Sequence, residues 1–358
     1  MSKNIVLCCD GTDNKFGTRN TNVVQLFSTL VQDPGIQVAY YHPGLGTMGA
    51  PGAWTRTATW FSKALGLAIG RGLADDIRDA YAFVMQQYQA GDKLFLFGFS
   101  RGAYTVRALA GLLHMFGLIR QGNEALVPYA IQLLTKLESD AFKVAARFKV
   151  TFSRPCQPYF IGVWDTVSSV GWFWNPLTIP YSADDPDIAV GRHAIAIDER
   201  RAFFRPNLWW PAGAPPAHGP RDLKQVWFPG VHSDVGGGYP EAESGLSKVA
   251  LHWMLREAQD QGLKVDMTIV NKVLGAGGSS GEVPPDPKAA IHNSLGPLWW
   301  WAEFIPKKHY HWQTQQTSYR MNLFRRRVIP ENSLIHQSAF ARGPDYPKNK
   351  PNVYTKVD

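Results

Sequence analysis

The chain has 358 residues, 37 Lys plus Arg against 29 Asp plus Glu, and a formal net charge of +8. Its 45% apolar content excludes a disordered chain, and no apolar run reaches the roughly 18 residues of a membrane-spanning helix. Three cysteines, two of them adjacent at Cys8 and Cys9, make neither a disulfide framework nor a zinc site.

Ile5–Cys9 is the first short apolar run, closed by Asp10. It is too short for a signal-peptide core, so cytoplasmic synthesis without a signal peptide is expected. Ile36–Tyr41, Lys93–Phe97, Tyr159–Trp164 and Gln225–Phe228 are similar runs. Being apolar almost throughout, they read as strands buried on both faces. Helical spacing lies between them, over Thr21–Val31, Arg71–Gln89, Gly102–Leu118 and Leu246–Leu263. The second is the clearest, with Leu73, Ile77, Tyr81, Val84 and Tyr88 on one face. Alternating strands and helices predict an α/β fold, a mostly parallel sheet flanked by helices. Gly46–Leu65, Gly171–Pro220 and Gly275–Tyr310 break this rhythm. They read as insertions in one domain over residues 1–358, forming a cap or lid. Trp60, Trp172, Trp174, Trp209, Trp210 and Trp299–Trp301 fall in these stretches, whereas Trp164 and Trp227 fall on strands and are expected in the core.

Gly98-Phe99-Ser100-Arg101-Gly102 follows one predicted strand and opens a helix. That is the setting of a nucleophile elbow, with Ser100 above the carboxyl edge of the sheet and the Arg101 N–H aimed at a developing oxyanion. A serine needs a base. Among the later histidines His232 stands out, because it follows a strand in Gly230-Val231-His232-Ser233-Asp234-Val235-Gly236-Gly237-Gly238. Asp165 ends the strand before it and lies between Ser100 and His232, the chain order of such triads. Asp234, two residues from His232, and Asp198, in a charged cluster with Glu199 to Arg201, are the alternative acids. Asp10-Gly11-Thr12-Asp13 ends the first strand. It supplies a second oxyanion donor from Gly11 or Thr12, or else a capping turn or a cation site at Asp10 and Asp13. No zinc, EF-hand or phosphate-loop spacing occurs, so no metal and no cofactor are expected. The basic residues are scattered apart from Arg325-Arg326-Arg327, which argues against nucleic acid as a partner.

Several of these motifs in order, together with Tyr41-His42-Pro43-Gly44-Leu45-Gly46-Thr47 and Ile197-Asp198-Glu199-Arg200-Arg201, carry a resemblance. The chain resembles an α/β-hydrolase family that includes the catalytic domain of the first class of type VI secretion lipase effectors. The resemblance runs from about Asn4 to at least Tyr239. It implies an α/β-hydrolase fold and a Ser-His-Asp esterase, with Ser100 as nucleophile, His232 as base and Asp165 as acid. It also implies membrane lipids as substrates of a phospholipase A or lipase, peripheral membrane contact, export by a type VI system and an immunity protein as partner. The alternatives are a soluble carboxylesterase acting on small or polymeric esters, and a binding module that keeps the fold without catalysis.

Overall fold

The first strand shows how the sheet is made. Ile5, Leu7 and Cys9 point into one apolar core and Val6 and Cys8 into another, so every residue of the run is buried. A strand covered on both faces belongs inside a parallel sheet with helices on each side. The computed structural model describes residues 2–11, 17, 19–44, 58–135, 140–167, 171–172, 175–176, 179–182, 185–209, 221–276, 281–296, 299–300, 303–311 and 316–358.

Eight strands form the main sheet. They are β1 (Asn4–Cys9), β2 (Gln37–His42), β3 (Lys93–Phe99), β4 (Pro158–Trp164), β5 (Val190–Ala196), β6 (Asp222–Phe228), β7 (Ser333–His336) and β8 (Tyr354–Val357). Their order is β8-β7-β6-β5-β4-β3-β1-β2, and every neighbouring pair is parallel. The helices are α1 (Asn22–Thr29), α2 (Ala58–Gln87), α3 (Arg101–Phe116), α4 (Val127–Thr135), α5 (Ala141–Phe152), α6 (His232–Gly236), α7 (Gly245–Asp260), α8 (Met267–Val273) and α9 (Gln337–Phe340). Side chains of α2 to α5 fill the core on one face, and those of α1, α7 and α8 fill the other. This is the expected α/β architecture, of the α/β-hydrolase type. Among the described residues no helix is long and apolar enough to cross a membrane.

Several boundaries differ from those read in the sequence. α2 begins at Ala58, well before Arg71, so residues 58–65 of the first expected insertion are helical. Its apolar face is as anticipated, with Leu73, Ile77, Tyr81, Val84 and Tyr88 all buried. α4 and α5 had no counterpart in the reading. The larger correction is β5, a wholly buried central strand inside the stretch 171–220 that was expected to be an insertion. Its sequence hides it, because Arg192 and His193 interrupt the apolar run. Arg192 is nevertheless buried, its guanidinium paired with Glu257 at 2.5 Å and Asp222 at 2.7 Å. A buried charge is tolerated when it is paired and hydrogen-bonded.

Tryptophans divide between core and surface. Trp164 and Trp227 are in the core, as expected. Trp209, in a stretch read as a cap or lid, is fully buried and lies 4.5 Å from the guanidinium of buried Arg107. The side chains of Trp60, Trp172, Trp174, Trp210 and Trp301 lie outside the described residues.

Candidate functional site

Ser100 sits between β3 and α3 with φ 56° and ψ −117°, a conformation that is costly for any residue with a Cβ. The turn survives because its neighbours leave room. A Cβ on Gly102 would stand 2.1 Å from the Cys9 carbonyl oxygen, and one on Gly98 2.6 Å from the Ala103 nitrogen. Gly102 lets the start of α3 lie directly on the end of β1, and Gly98 lets β3 turn tightly into α3. The Ser100 N–H donates to the Trp164 carbonyl at 3.1 Å, tying the turn to the end of β4. Arg101 is the first residue of α3, at the positive end of the helix dipole.

The residue after Trp164 is Asp165, fully buried and also at positive φ, 39°. Its N–H donates to the Ala194 carbonyl at 2.7 Å, and its Oδ1 accepts from the Ala196 N–H at 2.9 Å. β5 thus fixes the carboxylate from behind. Oδ2 lies 2.5 Å from Nδ1 of His232, which opens α6 just after β6. Burial pushes the Asp165 carboxyl up, but the charge of Arg327 and the bond to His232 outweigh it and hold the group below the ordinary carboxylate range. An ionised carboxylate only accepts, so the shared hydrogen belongs to Nδ1 and the neutral ring carries its lone pair on Nε2. His232 is itself buried, and burial lowers its pKa, partly offset by the bond to Asp165. Its ring packs 4.6 Å from Phe99, the residue preceding Ser100, and 4.9 Å from Phe204. Ser100, Asp165 and His232 therefore gather at the carboxyl ends of β3, β4 and β6.

Arg327 was not anticipated as part of this group. The sequence offered only a basic run, which reads as a solvated or binding surface. In the fold Arg327 is buried, with Nη1 donating to Asp165 Oδ1 at 2.5 Å and to the Ala196 carbonyl at 2.9 Å. Nη2 donates to Oδ2 at 3.0 Å, and Nε to the Phe204 carbonyl at 3.1 Å. The fork-to-fork geometry suits a guanidinium and not an ammonium. Glu199 is a second unanticipated neighbour. It accepts from the His232 backbone N–H at 3.2 Å and pairs with Arg201 at 2.8 Å. Burial pushes Glu199 up, and Arg201 brings it down to about 2.

The alternative acids lie elsewhere. Asp198 accepts from Tyr346 Oη at 2.5 Å, Arg326 at 2.8 Å and the Gly230 N–H at 2.9 Å. Asp234 binds the Val231 N–H at 2.9 Å and His292 Nδ1 at 2.6 Å. Both carboxylates brace the loop around His232, and the one on the ring is Asp165. Gly11 also departs from expectation. Its N–H donates to Asp10 Oδ1 at 2.6 Å, which takes it away from the role of second oxyanion donor. Asp10 Oδ2 accepts from Thr21 Oγ1 at 2.6 Å and Tyr41 Oη at 2.9 Å, so this carboxylate braces the loop after β1. Thr12 and Asp13 lie outside the described residues.

Of the described residues, His114, Asp185 and Asp187 bring ligand-type atoms within 4.8 Å of one another. His114 Nδ1 is bonded to Asp187 at 2.8 Å, and this bond outweighs burial in raising the His114 pKa. The cluster is formed by the far end of α3 and the segment before β5, away from Ser100. Aromatic side chains of the 275–310 stretch reach the site instead. Trp299 packs 5.5 Å from Phe204, which touches His232. Trp300 and Phe304 beside it are more than half exposed, at 54% and 53%.

A yeast protein, "Uncharacterized protein YEL023C" of Saccharomyces cerevisiae, is 34% identical over 225 residues, covering 58% of this chain and 33% of that protein. The chain thus spans about a third of that relative's length. A crystal structure of an uncharacterised protein from Pseudomonas aeruginosa aligns over 74% of this chain and 46% of its own, with 19% identity and a TM-score of 0.45. The family described as "T6SS, Phospholipase effector Tle1-like, catalytic domain" matches residues 3–257, which include Ser100, Asp165 and His232. That match covers well over half of the sequence, and the chain belongs to the Tle1-like phospholipase effector catalytic domain family.

Proposed function

We propose that the chain is a serine hydrolase that cleaves the carboxylic ester bonds of membrane phospholipids. The observation that carries the reading is the buried Asp165–His232 pair at 2.5 Å, beside a serine held at a strained strand-to-helix turn. His232 Nε2 takes the proton of Ser100 as its oxygen attacks the ester carbonyl. The ionised Asp165 stabilises the imidazolium that forms, and Arg327 holds Asp165 in place. The Arg101 N–H, next to the nucleophile at a helix N-terminus, supports the oxyanion. The imidazolium protonates the departing alcohol, leaving an acyl-serine. Water then attacks it with His232 as base again.

Family membership supports a lipid substrate, and with it delivery by a type VI system and a cognate immunity protein. Exposed Trp300 and Phe304, both against Phe324 in the stretch whose Trp299 reaches His232 through Phe204, support peripheral contact with the membrane that holds the substrate. The test is fatty-acid release from phospholipid vesicles by wild type and Ser100→Ala. The substitution is expected to lower the rate by at least about 10^4-fold. Equal release by the two proteins would overturn the reading, and activity confined to short water-soluble esters would replace the lipase with a soluble carboxylesterase.

A further inference from the structure

A second cleft lies on the α7 face of the sheet, beside β7 and β8, with a volume of about 470 Å³. His252 and Arg256 of α7, His336 at the end of β7, Ser338 of α9 and Lys356 of β8 line it. No Asp or Glu lines it, and the acidic charge that reaches His336 is that of Asp358. Charged lining groups that are all basic, Arg256 and Lys356, match a negatively charged ligand.

His336 gives the cleft a built polar wall. The ring is 7% exposed and stacks on Phe228 at 4.5 Å. Its Nδ1 accepts from the Ser338 N–H at 3.2 Å and lies 2.8 Å from the Ser338 hydroxyl. Burial, then the nearby Arg256 charge, lowers its pKa to about 4, so the ring is neutral at physiological pH. With Nδ1 acting as acceptor, the ring hydrogen sits on Nε2, the nitrogen remaining for the cleft. Arg256 and Lys356 are exposed at the rim and bring full positive charges. The guanidinium offers a planar fork, the ammonium a point charge and the imidazole a fixed N–H, a set suited to the three oxygens of a phosphate monoester.

We propose that this cleft binds a phosphate monoester, with Arg256, Lys356 and the His336 Nε2–H as its donors. The phosphate belongs either to a small soluble molecule or to an anionic lipid headgroup. The cleft lies apart from Ser100, so this proposal stands whether or not the chain hydrolyses lipids.

The experiment uses full-length Ser100→Ala protein, which removes turnover from the measurement. Binding of glycerol 3-phosphate is followed by calorimetry and by the ring signals of His336. Flotation is run with phosphatidylcholine vesicles with and without phosphatidic acid. The same assays are repeated with Arg256→Glu/Lys356→Glu, whose altered side chains are at the surface, with circular dichroism as the fold check. Saturable binding of glycerol 3-phosphate, weakened at least about 10-fold in the double variant, establishes the site with a soluble ligand. Flotation only with phosphatidic acid, and lost in the double variant, establishes it with a headgroup. Binding of neither probe, or equal binding by the folded double variant, overturns the proposal.

Discussion

Replacing Arg327 by Met keeps most of the side-chain volume and removes the charge. Asp165 then loses its contacts at 2.5 and 3.0 Å, and the Ala196 and Phe204 carbonyls lose theirs. The carboxylate keeps only the His232 and Ala196 N–H bonds. Breaking a buried ion pair on one side costs about 3–5 kcal/mol. That is a large share of a typical total of about 5–15 kcal/mol, so the variant folds but is visibly weakened. The sign with pH follows from the depressed Asp165 pKa. The pair stabilises wild type above the unfolded carboxylate value of about 3.9, and that support is lost as pH falls toward the folded value. The gap between the two proteins is therefore widest near neutrality and narrows below about pH 4. Urea denaturation across that range measures it, and ester hydrolysis is expected to drop about 10- to 100-fold from the displaced carboxylate. Arg327→Lys restores charge without the fork and should fall between the two. A stability loss under about 0.5 kcal/mol at pH 7, with unchanged hydrolysis, would refute the role given to Arg327.

Other expectations are simpler. Gly102→Ala places a methyl 2.1 Å from the Cys9 carbonyl, against backbone that cannot move freely. It should cost about 1–3 kcal/mol or more and displace Ser100, seen as a lowered denaturation midpoint together with lost activity; a wild-type midpoint would contradict the close approach of α3 to β1. Burial lowers the His232 pKa, partly offset by the bond to Asp165. With the neutral ring as the proposed base, activity is expected to be retained above that pKa and lost as pH falls through it. The acid limb of kcat/KM should therefore lie below the ordinary histidine value of about 6.5, and a midpoint above 7 would count against His232 as the base.

The parts of the site legible in the sequence are those with local signatures. Gly98 to Gly102 shows its turn because only small residues fit there, and β3 and α3 on either side have clear periodicity. Asp165 and His232, which the fold brings to 2.5 Å, could be singled out because each follows an apolar run at the edge of the sheet. β5 was missed because Arg192 and His193 disguise a buried strand, and their partners Glu257, Asp222 and Thr166 are distant in sequence. Arg327 was missed for the same reason. A basic triplet has no local mark telling which of its members turns inward, and the deciding contact spans more than 160 residues, to Asp165. Gly11 shows the converse error, where a plausible backbone donor is engaged by the carboxylate just before it.

The long separation between Asp165 and Arg327 bears on the timing of synthesis. Chains emerge from the ribosome amino end first, and their parts begin to fold in that order. Asp165 and His232 are both exposed to the cell before residue 327 has been made. Until it arrives, closing the sheet around Asp165 would bury a carboxylate without its guanidinium, which the energetics oppose. The Asp165–Arg327 pair is thus completed only late in translation, after the other partners of the carboxylate, Ala196 and His232, have been made.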